Sequence, residues 1–210
     1  MTLATTLGTA SGLVQLVAFF LYIRTLRRGQ TRPNGMSWLM WAYGSMVPFY
    51  IEGDTGAPLP VLLAPILCAL LSMYVAARAF LHGPSVPAAP HDWLVLALDL
   101  AILGGYLAFA SAILPGEGLE TAFLLLPAAS SVLSFWPILR STCLDPAGER
   151  PLAWFVWSVS YGLMAFAVMA AELPWPYLAY PVITQAMNLL VGLLAMGGAE
   201  TQRTGRPTTA

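Results

Sequence analysis

Residues 19–41 read FFLYIRTLRRGQTRPNGMSWLMW. An apolar run stops at Arg24, and Arg24, Arg27, Arg28 and Arg32 crowd the residues that follow. Pro33-Asn34-Gly35 then makes a turn, and a second apolar run opens on Trp38 and Trp41. Arginine is costly at lipid depth, whereas Gly, Pro and Asn suit an aqueous turn. The stretch therefore reads as the end of one membrane helix, a basic loop and the start of the next.

The same pattern continues in both directions. Helices are expected at about 5–25, 36–52, 59–81, 93–114, 119–139, 152–171 and 176–198, from runs of mostly apolar residues long enough to span hydrocarbon. GQTRPNG, EGDTGAP, HGPSVPAAPHD, PGEG, LDPAGERP and ELPWP separate them. Of 210 residues, 58% are hydrophobic and only 9% charged, with a mean hydropathy of +0.73. A soluble domain carries roughly 25% charged residues. The expectation is an all-α integral membrane protein, with residues 1–210 forming a single membrane domain. The first apolar stretch lacks a basic leader and runs into the arginines, so it is expected to be a retained helix.

All nine basic residues are arginine, and under this layout they fall on one side of the bilayer: Arg24, Arg27, Arg28, Arg32, Arg78, Arg140, Arg150, Arg203 and Arg206. Glu52, Asp54, Glu117, Glu120 and Glu172 fall on the other. The positive-inside rule then sets the N-terminus outside and the tail, 199–210, in the cytoplasm. A Lys-free, Ala-, Leu- and Arg-rich composition suits a GC-rich bacterial genome, so the plasma (cell inner) membrane is expected. A net charge of −1 without a basic stripe leaves nucleic acid aside.

Shifting the chain by 116 residues superimposes Arg24 on Arg140, Trp38 on Trp154, Trp41 on Trp157, Pro58 on Pro174, Pro60 on Pro176 and Pro65 on Pro181. Leu62/Leu178 and Val75/Val191 add to the set. Trp and Pro are uncommon enough for a constant offset to point to a duplication. Residues 5–81 would form one three-helix repeat and 119–198 the other. The linker helix, 93–114, would make them run the same way through the bilayer, a parallel-repeat arrangement of three, one and three helices.

With residues 19–41 and their counterpart SFWPILRSTCLDPAGERPLAWFVW at 134–157, the chain resembles the PQ-loop pattern, in which an apolar helix and a basic loop precede a helix opened by Trp. The overall layout is similar to that of SWEET sugar transporters. The Pro-Gln dipeptide itself is absent, since Leu21-Tyr22 and Pro137-Ile138 stand in its places. The resemblance implies a carrier of a small polar solute, a sugar among the candidates, with Asn188 lining the site. It also implies proline hinges, for which Pro48 and Pro137 are candidates although their repeat partners are Met164 and Leu21.

A solute site in such a carrier lies near the midplane between the halves. Ser45 pairs with Tyr161 and Ser72 with Asn188 at the same offset, each about halfway along its helix. Trp41 and Trp157 share a helical face with Ser45 and Tyr161, offering stacking rings beside hydroxyls. On the last helix Pro181, Gln185, Asn188 and Gly192 form a stripe. Ser45 and Ser72 also have a packing reading, because small residues let membrane helices approach. Trp38 and Trp154, at helix entrances, read as interfacial anchors. Asp99, inside the linker helix, reads either as a proton-coupling group or as an acid paired with Arg78 or Arg140. No buried basic residue marks a carboxylate or phosphate site.

His82 and His91 lack a third ligand, and Cys68 and Cys143 suggest neither a disulfide framework nor a zinc site. No metal or cofactor is expected, and no motif argues for an enzyme. A retinal protein is excluded because its Schiff base needs a lysine. The expected partners are the lipid bilayer and a small-molecule solute, with homo-oligomerisation left open. The alternative function is a non-transporting receptor or assembly protein on the same frame.

Overall fold

The computed structural model describes residues 2–46, 49, 57–82, 85–112 and 119–204. Seven helices run through them: α1 Leu3–Arg27, α2 Gly35–Gly44, α3 Leu59–Leu81, α4 Pro90–Ala112, α5 Leu119–Leu144, α6 Pro151–Ala170 and α7 Pro176–Thr204. A single 3-10 turn, Pro146–Gly148, lies in the α5–α6 loop. Among the described residues, four helices are long and apolar enough to cross a bilayer: Leu3–Arg27, Leu59–Leu81, Pro151–Ala170 and Pro176–Gly198.

Helix ends follow their chemistry. Asn34 starts α2 by accepting hydrogen bonds on Oδ1 from the N–H groups of Met36 (3.1 Å) and Ser37 (3.4 Å). Proline opens α4, α6 and α7, where its missing N–H costs nothing. Two helices run past their expected ends, α5 to Leu144 and α7 to Thr204, so residues 199–204 are helix rather than free tail. A polar or charged residue ends contact with lipid without ending a helix, and Arg is a good helix former. The expected hinge Pro48, with most of the second half of the 36–52 segment, lies outside the described residues.

The helices bury one face and expose apolar side chains on the other. On α1, Leu13, Leu16, Val17 and Phe20 are exposed while Ser11, Gln15, Ala18, Phe19 and Tyr22 are buried. Each set recurs at three- and four-residue steps, as one side of a helix must. Leu70, Met73 and Phe80 on α3, and Leu189, Leu193 and Met196 on α7, repeat the pattern. So much contiguous apolar surface on a folded chain is what lipid would cover.

Within the first three helices, α3 packs against both α1 and α2; within the last three, α7 packs against both α5 and α6. The two groups meet where α1 lies along α6 and α2 along α5. The remaining helix, α4, rests on α5 with a lesser contact to α2. Close approach is possible because small residues sit at the crossings: a Cβ at Gly8 would come 2.5 Å from the carbonyl oxygen of Pro60. Pro65 and Pro181 lie inside α3 and α7. At Pro137 the neighbouring backbone groups turn to α2: the Asn34 side-chain amide donates to the Pro137 carbonyl (3.1 Å), and Ser37 Oγ accepts from the Ile138 N–H (3.0 Å).

Candidate functional site

Among the described residues, every helix except α4 contributes to a central cavity of about 30 Å³, room for about two water molecules. Its walls come in pairs separated by 116 residues: Gln15 and Ser131, Phe19 and Phe135, Trp38 and Trp154, Trp41 and Trp157, Cys68 and Thr184. Tyr161, Tyr180 and Asn188 complete it. Of the expected site residues, the structure thus brings Trp41, Trp157, Tyr161 and Asn188 to one cavity. Ser45 and Ser72, both buried, stand behind Cys68: its thiol lies 3.7 Å from Ser72 Oγ and reaches Ser45 and Tyr161.

Ring geometry repeats with the same offset. Phe19 and Trp157 have centroids 5.0 Å apart, and Phe135 and Trp41 4.7 Å. Trp38–Trp41 and Trp154–Trp157 measure 5.0 and 5.1 Å, and Trp38–Trp157 and Trp154–Trp41 measure 5.7 and 5.9 Å. Trp38 and Trp154 face one another at 6.3 Å. These two are each only 1% exposed, which corrects their reading as interfacial anchors. A helix entrance looks the same in sequence whether its Trp faces lipid or core, and here the rings turn inward because α1 and α5 supply aromatic partners.

The polar groups are less evenly matched. Asn188 Nδ2 donates to the Thr184 carbonyl (2.8 Å), Thr184 Oγ1 donates to Ser131 Oγ (3.4 Å), and the hydroxyls of Tyr161 and Tyr180 lie 3.4 Å apart. Gln15 is fully buried and neither its oxygen nor its nitrogen has a partner. The stripe expected on the last helix divides. Asn188 faces the cavity, whereas Gln185 lies against Gly162 and Gly192 lies under Phe155, packing α7 to α6. Thr184, one turn before Asn188, takes the cavity position instead.

Glu149, unremarked in the sequence, sits at the loop end of the aromatic stack and is 3% exposed. Its carboxylate accepts from Tyr22 OH (3.0 Å) and from Trp154 Nε1 (3.1 Å), and Tyr22 OH in turn accepts from Trp38 Nε1 (3.2 Å). One carboxylate thereby ties together both entrance tryptophans. Burial pushes its pKa up to about 8, against the opposing hydrogen bonds from Trp154 and Tyr22. Around it, the Arg32 N–H donates to the Gly148 carbonyl (2.8 Å), Arg150 Nε donates to the Gln30 carbonyl (3.1 Å), and Arg32 pairs with Asp145 at 3.5 Å. The α1–α2 and α5–α6 loops are bound to each other.

Asp99 is buried outside the cavity wall. Its Oδ2 accepts from Tyr43 OH on α2 (2.8 Å) and Ser134 Oγ on α5 (3.2 Å), while Oδ1 has no partner. The pairing with Arg78 or Arg140 is not formed. Arg140 instead donates to Asp92 (3.2 Å), whose other bond is to the Ala89 N–H (2.8 Å) at the start of α4.

The described residues of the cavity wall offer aromatic faces, neutral amides, hydroxyls and one thiol, and no charged side chain is among them. Such a wall can bind but supplies neither a nucleophile–base pair nor a metal-ligand set; among the described residues no group of three His, Cys, Asp or Glu could hold a metal ion. No family model matches the chain, and no curated protein or solved structure does either, so its function has to be read from the cavity itself.

Proposed function

We propose that this protein is a seven-span membrane carrier of a small, polar, uncharged solute, a sugar among the candidates. Two three-helix halves, 5–81 and 119–198, would move against one another around the central cavity, with α4 as the linker. The N-terminus is outside and the tail cytoplasmic, in the plasma membrane of a bacterium. The observation that carries this reading is the cavity itself: six helices meet there with five lining pairs at one offset, and the polar groups among its described lining residues are all uncharged.

In this reading the bound loops and the Trp38–Tyr22–Glu149–Trp154 chain close the cytoplasmic end. A solute of several heavy atoms enters only after the halves part, because about 30 Å³ is far below the volume of an open ligand site. Pro48 and Pro137 are the proposed hinges, and Pro65 and Pro181, at matching places inside α3 and α7, are a further pair at which the helix ladder is weakened. Asp99 links α2 to α5 through Tyr43 and Ser134, across the seam between the halves, and is the proposed coupling group for protons.

Uptake of labelled neutral solutes, hexoses included, into vesicles containing the purified protein tests the proposal. Saturable uptake lost in a folded Asn188→Ala variant is the expected result. No uptake of any member by folded wild type contradicts it. A non-transporting receptor or assembly protein is the second reading, and the narrowness of the cavity is the observation in its favour.

A further inference from the structure

Gln15 lies midway along α1, and its side-chain amide is the one polar group of the described cavity wall with both ends unpartnered. The groups near it are engaged with one another: Asn188 with the Thr184 carbonyl, Thr184 with Ser131, and Tyr161 with Tyr180. A buried amide that bonds nothing is destabilising, and such groups are normally satisfied by protein, water or ligand. Across the cavity its counterpart is Ser131, a much shorter side chain already holding Thr184. Among the described lining residues, Gln15 on α1 is thus the side chain whose donor and acceptor are both open.

We propose that Gln15 selects the solute, admitting uncharged molecules that carry a donor and an acceptor on neighbouring atoms, as a vicinal diol or a primary carboxamide does. This rests on the cavity being a solute site, as the carrier reading has it. A carboxamide presents an acceptor oxygen and a donor nitrogen side by side in one plane, so it pairs with both groups of such a solute at once. Trp41 and Trp157 supply apolar faces for the remainder of the molecule. Ions are rejected because the wall has no opposite charge to offset their desolvation.

Four indole rings, those of Trp38, Trp41, Trp154 and Trp157, line the cavity, so solute entry is read from tryptophan emission of the purified full chain in lipid nanodiscs. The titrants are D-glucose, propionamide, N,N-dimethylpropionamide and acetate. Wild type should respond saturably to glucose, to propionamide or to both, which identifies the source of the donor–acceptor pair, and not to the dimethyl amide or acetate. Gln15→Leu should bind about tenfold more weakly or worse, the effect of losing one to two buried hydrogen bonds. Gln15→Met, which keeps the length and flexibility of the side chain, should match it and guards against misfolding of the first variant. Equal titration by the variants, a comparable response to acetate, or silence from folded wild type overturns the assignment. Gln15-dependent binding without vesicle uptake supports it while sinking the carrier reading.

Discussion

The two sides of the cavity agree in their rings and differ in their polar groups. Phe19, Trp38 and Trp41 have ring counterparts in Phe135, Trp154 and Trp157, with centroid distances that match pair by pair. Gln15 and Cys68 on the wall, and Ser45 and Ser72 behind it, have unlike residues at the same offset, namely Ser131, Thr184, Tyr161 and Asn188. A repeated frame with unlike polar positions separates two tasks. The rings set the shape of the contact between halves and hold it together; the polar groups make the cavity asymmetric, which in the carrier reading would give a bound solute one preferred orientation.

Disrupting the shared rings should have the largest effect, and an equal one on both sides. Trp41→Ala and Trp157→Ala should each lose about 3–5 kcal/mol, the usual cost of emptying a buried aromatic site. Unfolding in detergent measures both, and a clear inequality would mean that the two sides do not share the load.

Glu149 has Pro33 as its counterpart and so belongs to one side alone. With its pKa raised from 4.5 to about 8, the native state keeps a proton between those values that the unfolded chain has released. Stability is thus greatest at the acid end of this window and falls as pH rises through it, by about 5 kcal/mol in all at about 1.4 kcal/mol per unit. Glu149→Gln should remove that slope in melting curves recorded from pH 5 to 9. A slope that survives the substitution belongs to another group.

Asn188→Ala should weaken solute binding about tenfold, while Ser72→Ala, one layer behind the wall, should change it less than about twofold. Calorimetric titration with whichever solute the uptake panel yields compares the two. The smallest effect is expected from Arg32→Ala. Its partner Asp145 and Arg32 itself are about half exposed, and such pairs contribute about 0.5 kcal/mol. Thermal unfolding at low and high salt detects it.

Much of the frame was legible because it is written in residue types that carry it locally. Pro58 before α3 and His82 after it bound an apolar run, and α3 forms over the expected 59–81. The constant offset of Trp38/Trp154 and Trp41/Trp157 was legible, but that Trp38 and Trp154 turn into the centre was not, because a Trp at a helix entrance reads the same whether it faces lipid or core. Phe19 and Phe135 share that offset too, a signal present in the chain but hidden among common apolar residues. Gln15, Thr184 and Tyr180 belong to no motif, and only the meeting of distant helices makes them neighbours. Glu149 reads as part of a polar turn, GERP, and its burial depends on Tyr22, distant in sequence. Asp99 was legible as an acid inside an apolar helix, but its partners Tyr43 and Ser134 come from helices whose register no local pattern specifies.

The central claim is that two halves part around the cavity, and distance measurement between them tests it most directly. A spin label on exposed Cys143 at the end of α5 and another at Arg28→Cys just beyond α1, with buried Cys68 replaced by serine, would report the separation of the two halves at these loop ends. The carrier reading predicts two distance populations whose ratio shifts when a transported solute is added. A single population, unchanged by any solute that the protein binds, would contradict it.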